Sequence, residues 1–144
     1  MKVQIKISED VPETFAVIYT PEITKEVQDA ASLLQGGNKM ITAADSGRTV
    51  ILQPEEIYMV RVENEQAIIY CQKKKYQSAK RLYQMEELLG NSFMKISKSV
   101  IINLRKIDSV EPSFNGMMSL LLKNGCKDYI SRKYLPGFKK YLGL

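Results

Sequence analysis

The sequence predicts a mainly β protein with some α-helix. Short segments in which polar and apolar residues alternate recur along the chain, a pattern typical of half-buried strands. Two Asn-Gly pairs, Asn115-Gly116 and Asn124-Gly125, are strong signals for tight hairpin turns that need positive φ. The chain has 144 residues, 44% of them hydrophobic, which is enough for one compact domain with a small extension.

The first 38 residues are predicted to form a small β-β-α extension with a regulatory or dimerisation role. Residues 2–7 and 14–20 have the composition and alternation of strands. A helix is expected to start at Pro21 with Thr20 as its N-cap, and to end at Gly36-Gly37. A unit of this size is small for independent stability, so we expect it to pack on the rest of the chain or to pair with a second chain.

Residues 39–144 are predicted to form a β domain with two helices. Ser78 is expected to cap a helix over 79–89 that Gly90 ends, and a second helix is expected over 136–142. Asn103 either caps the turn that follows it or faces a ligand, and the cap is favoured. The predicted strands are 39–43, 48–52, 57–62, 66–72, a short one from Tyr76, 93–96, 100–102, 107–111, 117–123 and 126–131.

The composition argues against an enzyme. The chain contains no histidine, the commonest general base and metal ligand. Cys71 and Cys126 form neither a CxxC pair nor a disulfide framework, which suits a reduced cytoplasmic setting. The chain has no apolar run near the length of a membrane span and no apolar secretory signal at its start. We therefore expect a cytoplasmic protein that is not an enzyme and that binds no cofactor or metal.

Positive charge is concentrated in the last third of the chain. Residues 1–40 hold 4 basic and 6 acidic residues, residues 41–90 hold 7 of each, and residues 91–144 hold 10 basic and 3 acidic residues. A basic block in an otherwise neutral chain suggests a polyanionic partner such as nucleic acid. The alternative is a solvated surface that keeps the protein soluble.

Two short clusters within this block have side chains suited to DNA. Serine hydroxyls can bond phosphates or base edges, and arginine can contact guanine or enter a narrow minor groove. Lysine suits phosphate better than a base. Ordinary loop charges are the alternative for each residue taken alone. The candidates are Lys95, Ser97, Lys98 and Ser99 in the first cluster, and Arg132 and Lys133 in the second.

The chain resembles the LytTR DNA-binding domain of bacterial transcription regulators. The phrase F-x-K-I-S-K-S-x-I-I-N, followed at a distance by I-S-R-K-Y, is the most specific part of the likeness. Further matching segments are PEEIYMVRVENEQAIIY, LYQMEELLG and KDYISRKYLPGFKKYL, so that the resemblance covers residues 39–144. The first 40 residues are too short for the receiver domain that precedes this domain in most relatives. The chain is similar to stand-alone LytTR regulators, which are often encoded beside small membrane proteins that control them.

The resemblance implies an elongated β domain that binds promoter DNA through loops, as a dimer on two half-sites. It places Asn64 and Gln66 at one major groove, although Glu63 and Glu65 flank that loop and carboxylates are unfavourable beside phosphates. The implied partners are promoter DNA, a second copy of the chain and a small membrane protein. The alternative function is a basic interaction module that docks on an acidic or membrane-protein partner. The other DNA contacts that the resemblance implies are Lys95, Ser97, Lys98, Ser99, Arg132 and Lys133.

Overall fold

The computed structural model describes residues 1–34 and 40–144, and the chain divides into two units between Asn38 and Lys39. No helix in the described ranges is long and apolar enough to cross a lipid bilayer. Their helices are α1 (Lys25–Leu34), α2 (Leu82–Leu89) and α3 (Leu135–Leu142). Their strands are β1 (Ile41–Asp45), β2 (Arg48–Leu52), β3 (Met59–Glu63), β4 (Gln66–Tyr70), β5 (Lys75–Ser78), β6 (Phe93–Ser97), β7 (Val100–Asn103), β8 (Ile107–Pro112), β9 (Met118–Leu122) and β10 (Lys127–Ile130).

The first unit lacks the two strands that the sequence predicted for residues 2–7 and 14–20, because residues 1–24 contain neither strand nor helix. An alternating pattern suits a strand, but a strand also needs a neighbour to complete its hydrogen bonds. The apolar side chains of the pattern are instead exposed, and Ile7 is 95% exposed. The β-β-α prediction therefore holds only for its helix.

Helix α1 starts four residues later than predicted. The hydroxyl of Thr24 accepts the Val27 N–H at 3.3 Å, so Thr24 occupies the position that we assigned to Thr20. Thr20 instead forms a local turn, in which its hydroxyl accepts the Glu22 N–H at 3.4 Å. The predicted end at Gly36-Gly37 lies outside the described residues.

The second unit confirms the predicted mainly β fold with some α-helix. Seven antiparallel strands form one sheet in the order β2-β1-β5-β4-β3-β7-β6, and three more form a second sheet in the order β10-β9-β8. Most neighbours in these sheets are consecutive hairpin strands, as their alternating patterns and turn residues predicted. The larger sheet has two exceptions: β1 pairs with β5, and β3 pairs with β7 and so joins the β6–β7 hairpin to the rest.

Two hydrophobic cores cover the two faces of the seven-stranded sheet. On one face, α2 buries Leu82, Met85 and Leu89 against Val60, Ile69 and other strand residues. On the other face, the three-stranded sheet and α3 pack through Leu120, Ile130 and Phe138 against Ile96 and Ile102. Alternate residues of the central strands enter alternate cores, since successive side chains of a strand point to opposite faces.

The start of α2 differs from the prediction, whereas its end agrees. The helix begins at Leu82 with Arg81 as N-cap, and the Arg81 N–H donates to the Gln84 side chain at 2.9 Å. Ser78, the predicted cap, lies in β5 and accepts the Lys80 N–H at 3.1 Å. Gly90 ends the helix at φ 79°, a conformation that glycine adopts without strain.

The two Asn-Gly turns differ from each other. Asn115 and Gly116 both have the predicted positive φ, at 56° and 71°. At the other turn only Gly125 has positive φ, at 90°. Asn124 is instead fixed by its side chain, which donates to the Cys71 carbonyl oxygen and accepts the N–H of Cys126, at 2.9 and 3.0 Å.

The prediction that Asn103 caps the following turn is confirmed. Its side-chain oxygen accepts the Arg105 N–H at 3.0 Å, and its amide donates to the Ile57 carbonyl oxygen at 2.9 Å. The side chain is buried, and both hydrogen bonds stay within the protein. Asn103 is therefore structural and does not face a ligand.

Phe138→Ala should lower the free energy of unfolding by about 3–5 kcal/mol, because Phe138 is fully buried in the second core and alanine would leave a cavity. Tyr141→Ala is the matched control on the same helix, since Tyr141 is 54% exposed, and it should cost less than about 0.5 kcal/mol. Urea denaturation followed by circular dichroism measures both. Equal losses in the two variants would contradict the assigned core.

Candidate nucleic-acid interface

The turn between β3 and β4 presents Asn64 and Gln66. Asn64 and Glu65 form its tip with positive φ values of 50° and 64°, and Glu63 pairs with Gln66 across the two strands. Asparagine tolerates positive φ better than most residues, which suits it to such a tip. The side chains of Asn64 and Gln66 are both exposed, so their amides are free to contact a ligand.

The turn between β6 and β7 presents Lys98 at its tip. Ser97 pairs with Val100 across the hairpin, which leaves Lys98 and Ser99 as the two turn residues. The hydroxyl of Ser97 accepts the Ser99 N–H at 3.3 Å and can still donate its own hydrogen. Lys95 lies farther from the turn, inside β6, and is half-buried, as are Ser97 at the end of the strand and Ser99 in the turn.

The segment after β10 presents Arg132 and Lys133. The N–H groups of Tyr134 and Leu135 both donate to the Ser131 carbonyl oxygen at 3.0 Å, which closes a turn ahead of α3. Arg132 and Lys133 are exposed within this turn. The Lys133 ammonium lies 5.7 Å from the centroid of the Tyr134 ring, within the range of a cation–π contact.

Two backbone hydrogen bonds bring these three turns to one end of the domain. The Val62 N–H donates to the Ser99 carbonyl oxygen at 2.8 Å, so the β3–β4 and β6–β7 turns are neighbours. The Ser131 N–H donates to the Ile96 carbonyl oxygen at 3.0 Å, which places the third turn beside β6. The two basic clusters, although more than 30 positions apart in sequence, thus meet in the fold.

A fourth turn, between β8 and β9, lies at the same end. Pro112 pairs with Met118, and Met118 also pairs with Ile130, so this turn adjoins the segment after β10. A Cβ added to Gly116 would lie 3.3 Å from Cδ of Arg132, so the arginine stem passes directly over the glycine. The sequence predicted this turn but not its contact with Arg132. We call residues 64–66, 97–99, 113–117 and 131–134 the turn end.

A polar network behind the β3–β4 turn balances the negative charge of Glu63. Its carboxylate accepts hydrogen bonds from the Tyr70 hydroxyl at 2.8 Å and from the Arg61 guanidinium at 2.9 Å. The Tyr70 hydrogen bond, followed by the Arg61 contact, lowers the pKa of Glu63, against the opposing effect of burial. Of the two carboxylates that flank this loop and would be unfavourable beside phosphates, Glu63 is therefore paired within the protein. Glu65 is exposed at the tip of the turn.

The same network links the two sheets. Arg61 in β3 donates to the Asp128 carboxylate in β10 at 3.1 Å, and its guanidinium carbon lies 5.1 Å from the Tyr70 ring centroid. The two charged side chains are 31% and 18% exposed. This ion pair is partly buried and is also a directional hydrogen bond. It therefore restrains the position of the three-stranded sheet relative to the larger sheet near the turn end.

The cysteines show no sign of activation. Burial, followed by the nearby charge of Glu56, raises the pKa of Cys71 to about 11, which keeps its thiol protonated at neutral pH. Cys126 is half-buried beside the second core. Within residues 1–34 and 40–144, no three side chains of the His, Cys, Asp and Glu types are arranged to hold a metal ion.

Comparison with known families decides what kind of domain this is. The sequence profile of the LytTr DNA-binding domain matches residues 47–143, which is most of the second unit. The chain belongs to the LytTR family. The resemblance that the KISKS and ISRKY motifs indicated is thus confirmed, as is DNA binding as the function of the family. The LytTR match covers all eight candidate residues from Asn64 to Lys133, but it does not test their individual contacts.

Two relatives and one solved structure show how far the similarity extends. A sensory transduction protein, LytT of Enterococcus faecalis, is 37% identical over 98 residues, which are 67% of this chain and 40% of that protein. An uncharacterized HTH-type transcriptional regulator of Staphylococcus aureus is 26% identical over essentially the full length of both chains. The LytTr DNA-binding domain of a Bacillus cereus response regulator, at 20% identity, superposes with a TM-score of 0.70 over 75% of this chain and 100% of that one.

Asp128→Asn should lower the free energy of unfolding by about 1 kcal/mol, because Arg61 loses one of its two charged partners in a partly buried site. Arg48→Gln is the matched control, since the Arg48–Asp45 pair has a similar distance of 3.2 Å but its arginine is 72% exposed. That variant should stay within about 0.5 kcal/mol of the wild type. Chemical denaturation measures both, and indistinguishable losses would contradict a restraining role for the inter-sheet pair.

Proposed function

We propose that the chain is a transcription regulator that binds specific promoter DNA through its turn end. The observation that carries this proposal is the convergence of both basic clusters at one end of a LytTR domain, beside the Asn64 turn. The relatives support it, since the full-length Staphylococcus aureus relative is described as a transcriptional regulator. Such a protein needs no catalytic group or cofactor, and it would act in the cytoplasm, where bacterial promoters are.

The candidate side chains divide by chemistry into two roles. Lys98 and Lys133 suit phosphate oxygens, because a flexible ammonium is a point charge without fixed geometry. Arg132 suits the O6/N7 edge of guanine, and the amides of Asn64 and Gln66 suit adenine. Ser97 and Ser99 supply short-range hydrogen bonds to either. Lys95 has the weakest support, because it lies within β6 and farther from the turn than the other candidates of its cluster.

Arg132→Ala should weaken binding to the chain's own upstream promoter fragment by about 1–3 kcal/mol, or about 5- to 150-fold in Kd, because a base contact is lost. Lys98→Ala should weaken binding to all sequences and lower the slope of log K against log salt by about 1. Fluorescence anisotropy at several salt concentrations measures both effects.

Lys74→Ala is the matched control for these variants. Lys74 is exposed beyond the end of β4 that lies opposite the β3–β4 turn, so its removal lowers the net charge equally without touching the turn end. It should leave affinity within about twofold of the wild type. Wild-type binding by Arg132→Ala and Lys98→Ala alike at near-physiological salt would overturn this DNA-binding surface.

We propose further that two copies bind two half-sites and associate through their first units. Within residues 1–34 no side chain is buried, and ten large apolar side chains are more than half exposed, which is typical of a surface that another chain covers. Pairing between two copies would supply the strand neighbours that residues 1–24 lack. The apolar side chains that are more than half exposed within residues 1–34 are Met1, Val3, Ile5, Ile7, Phe15, Val17, Tyr19, Ile23, Leu33 and Leu34.

Sedimentation velocity should therefore detect a dimer that Ile5→Asp combined with Ile7→Asp dissociates, because a carboxylate at an apolar contact is costly to desolvate. Gln4→Asp is the control at the polar position just before them, and it should leave the dimer intact. Wild-type chains that stay monomeric at all concentrations, with and without DNA, would overturn self-association. The small membrane protein that the resemblance implies would then be the partner to test on this surface.

A further inference from the structure

The turn between β8 and β9 holds an exposed aromatic residue that the DNA-binding proposal does not use. Phe114 lies in this turn and is 61% exposed, although phenylalanine is usually buried. Its ring centroid lies 5.7 Å from that of Tyr129, with the planes inclined at 57°. Tyr129 is itself 39% exposed on β10, so the pair forms an aromatic surface and not part of a core.

The position of Phe114 is fixed by its backbone. The Met117 N–H donates to the Phe114 carbonyl oxygen at 3.1 Å, and the Ser113 N–H donates to the Met117 carbonyl oxygen at 2.9 Å. Asn115 and Gly116 hold the positive φ values that close the turn. An aromatic ring on such a closed turn loses little conformational freedom when it binds, because few torsions remain free.

The turn that carries Phe114 lies beside the residue that we propose to read a base. The stem of Arg132 crosses Gly116, two positions after Phe114, and Tyr129 lies three positions before Arg132 in the chain. If Arg132 enters a major groove to contact guanine, Phe114 approaches the same groove. The apolar group that base edges offer there is the C5-methyl of thymine, which phenylalanine can contact.

We propose that Phe114 is a specificity-determining residue that contacts a thymine methyl group next to the base pair read by Arg132. This inference rests on the proposed DNA-binding function of the turn end. The contact adds no charge, so it contributes discrimination between sequences and no general affinity for DNA. The rigid turn and the support from Tyr129 hold the ring against the methyl group.

The test uses a duplex selected by the wild-type chain from random-sequence DNA. Phe114→Ala should weaken binding to this duplex about tenfold, leave binding to non-selected DNA unchanged and leave the salt slope unchanged, because no phosphate contact is lost. Phe114→Leu, which keeps an apolar side chain, should recover part of the loss. Tyr83→Ala is the matched control, since Tyr83 is 62% exposed on α2, and it should bind like the wild type.

Replacement of single thymines by uracil then identifies the contact. One position should weaken wild-type binding about fourfold, the effect expected from the burial of one methyl group, and should not weaken Phe114→Ala further. Loss of binding in Phe114→Ala without any such position would overturn the thymine contact, as would wild-type affinity in Phe114→Ala. Weakened binding by Arg132→Ala in the same assay shows that the turn end binds DNA, so failure at Phe114 is distinguishable from failure of the proposed function.

Discussion

The packing of the three-stranded sheet and α3 against the seven-stranded sheet is the constraint on which the turn end depends. The turns at 64–66 and 97–99 belong to the larger sheet alone, whereas Arg132 follows the last strand of the smaller one. The second core, with Ile96, Ile130 and Phe138 fully buried in it, holds these segments together. The hydrogen bond from Ser131 to Ile96 then fixes the register between them.

The magnitudes of the interactions indicate which of them stabilises this arrangement. Complete burial of one large apolar side chain contributes about 1.5–3 kcal/mol, and the second core contains many such residues. A partly exposed ion pair contributes at most about 1 kcal/mol net, since desolvation offsets most of its attraction. The Arg61–Asp128 pair is therefore a minor source of stability, but its directional hydrogen bond orients one sheet on the other. The same arginine keeps the Glu63 carboxylate paired close to a surface that would meet phosphates.

The sequence predicted the features that depend on local patterns. Period-two alternation and turn residues are local properties, so most strands and the hairpin at 115–116 were identified correctly. The first 24 residues show the limit of this approach, because a strand also requires a partner that its own residues do not specify. The conformation of Asn124 could not be predicted for the same reason, because its side chain is fixed by the Cys71 carbonyl oxygen, 53 positions earlier.

Part of the candidate site could be predicted from the sequence for a related reason. Lysine, serine and arginine in the KISKS and ISRKY motifs are distinctive as residue types, so both clusters were identified from the sequence, and the structure shows that their segments meet. Their individual contacts with DNA remain predictions. Phe114 was missed because phenylalanine after a strand normally indicates core packing. Its exposure and the proximity of its turn to Arg132 follow from strand pairing across β8, β9 and β10, which no local pattern encodes.

The construction of the turn end limits what its residues can do. All four turns are closed by backbone hydrogen bonds or strand pairing, so the backbone needs little ordering when a ligand binds, whereas long lysine side chains lose rotamer freedom. Under the proposed function, Lys98 and Lys133 therefore supply attraction that tolerates many geometries and sequences. Discrimination between base sequences then depends on the side chains whose positions the turns fix, such as Asn64. Glu65, exposed beside Asn64, repels phosphate, and this repulsion favours an approach of that tip toward base edges over the sugar-phosphate backbone.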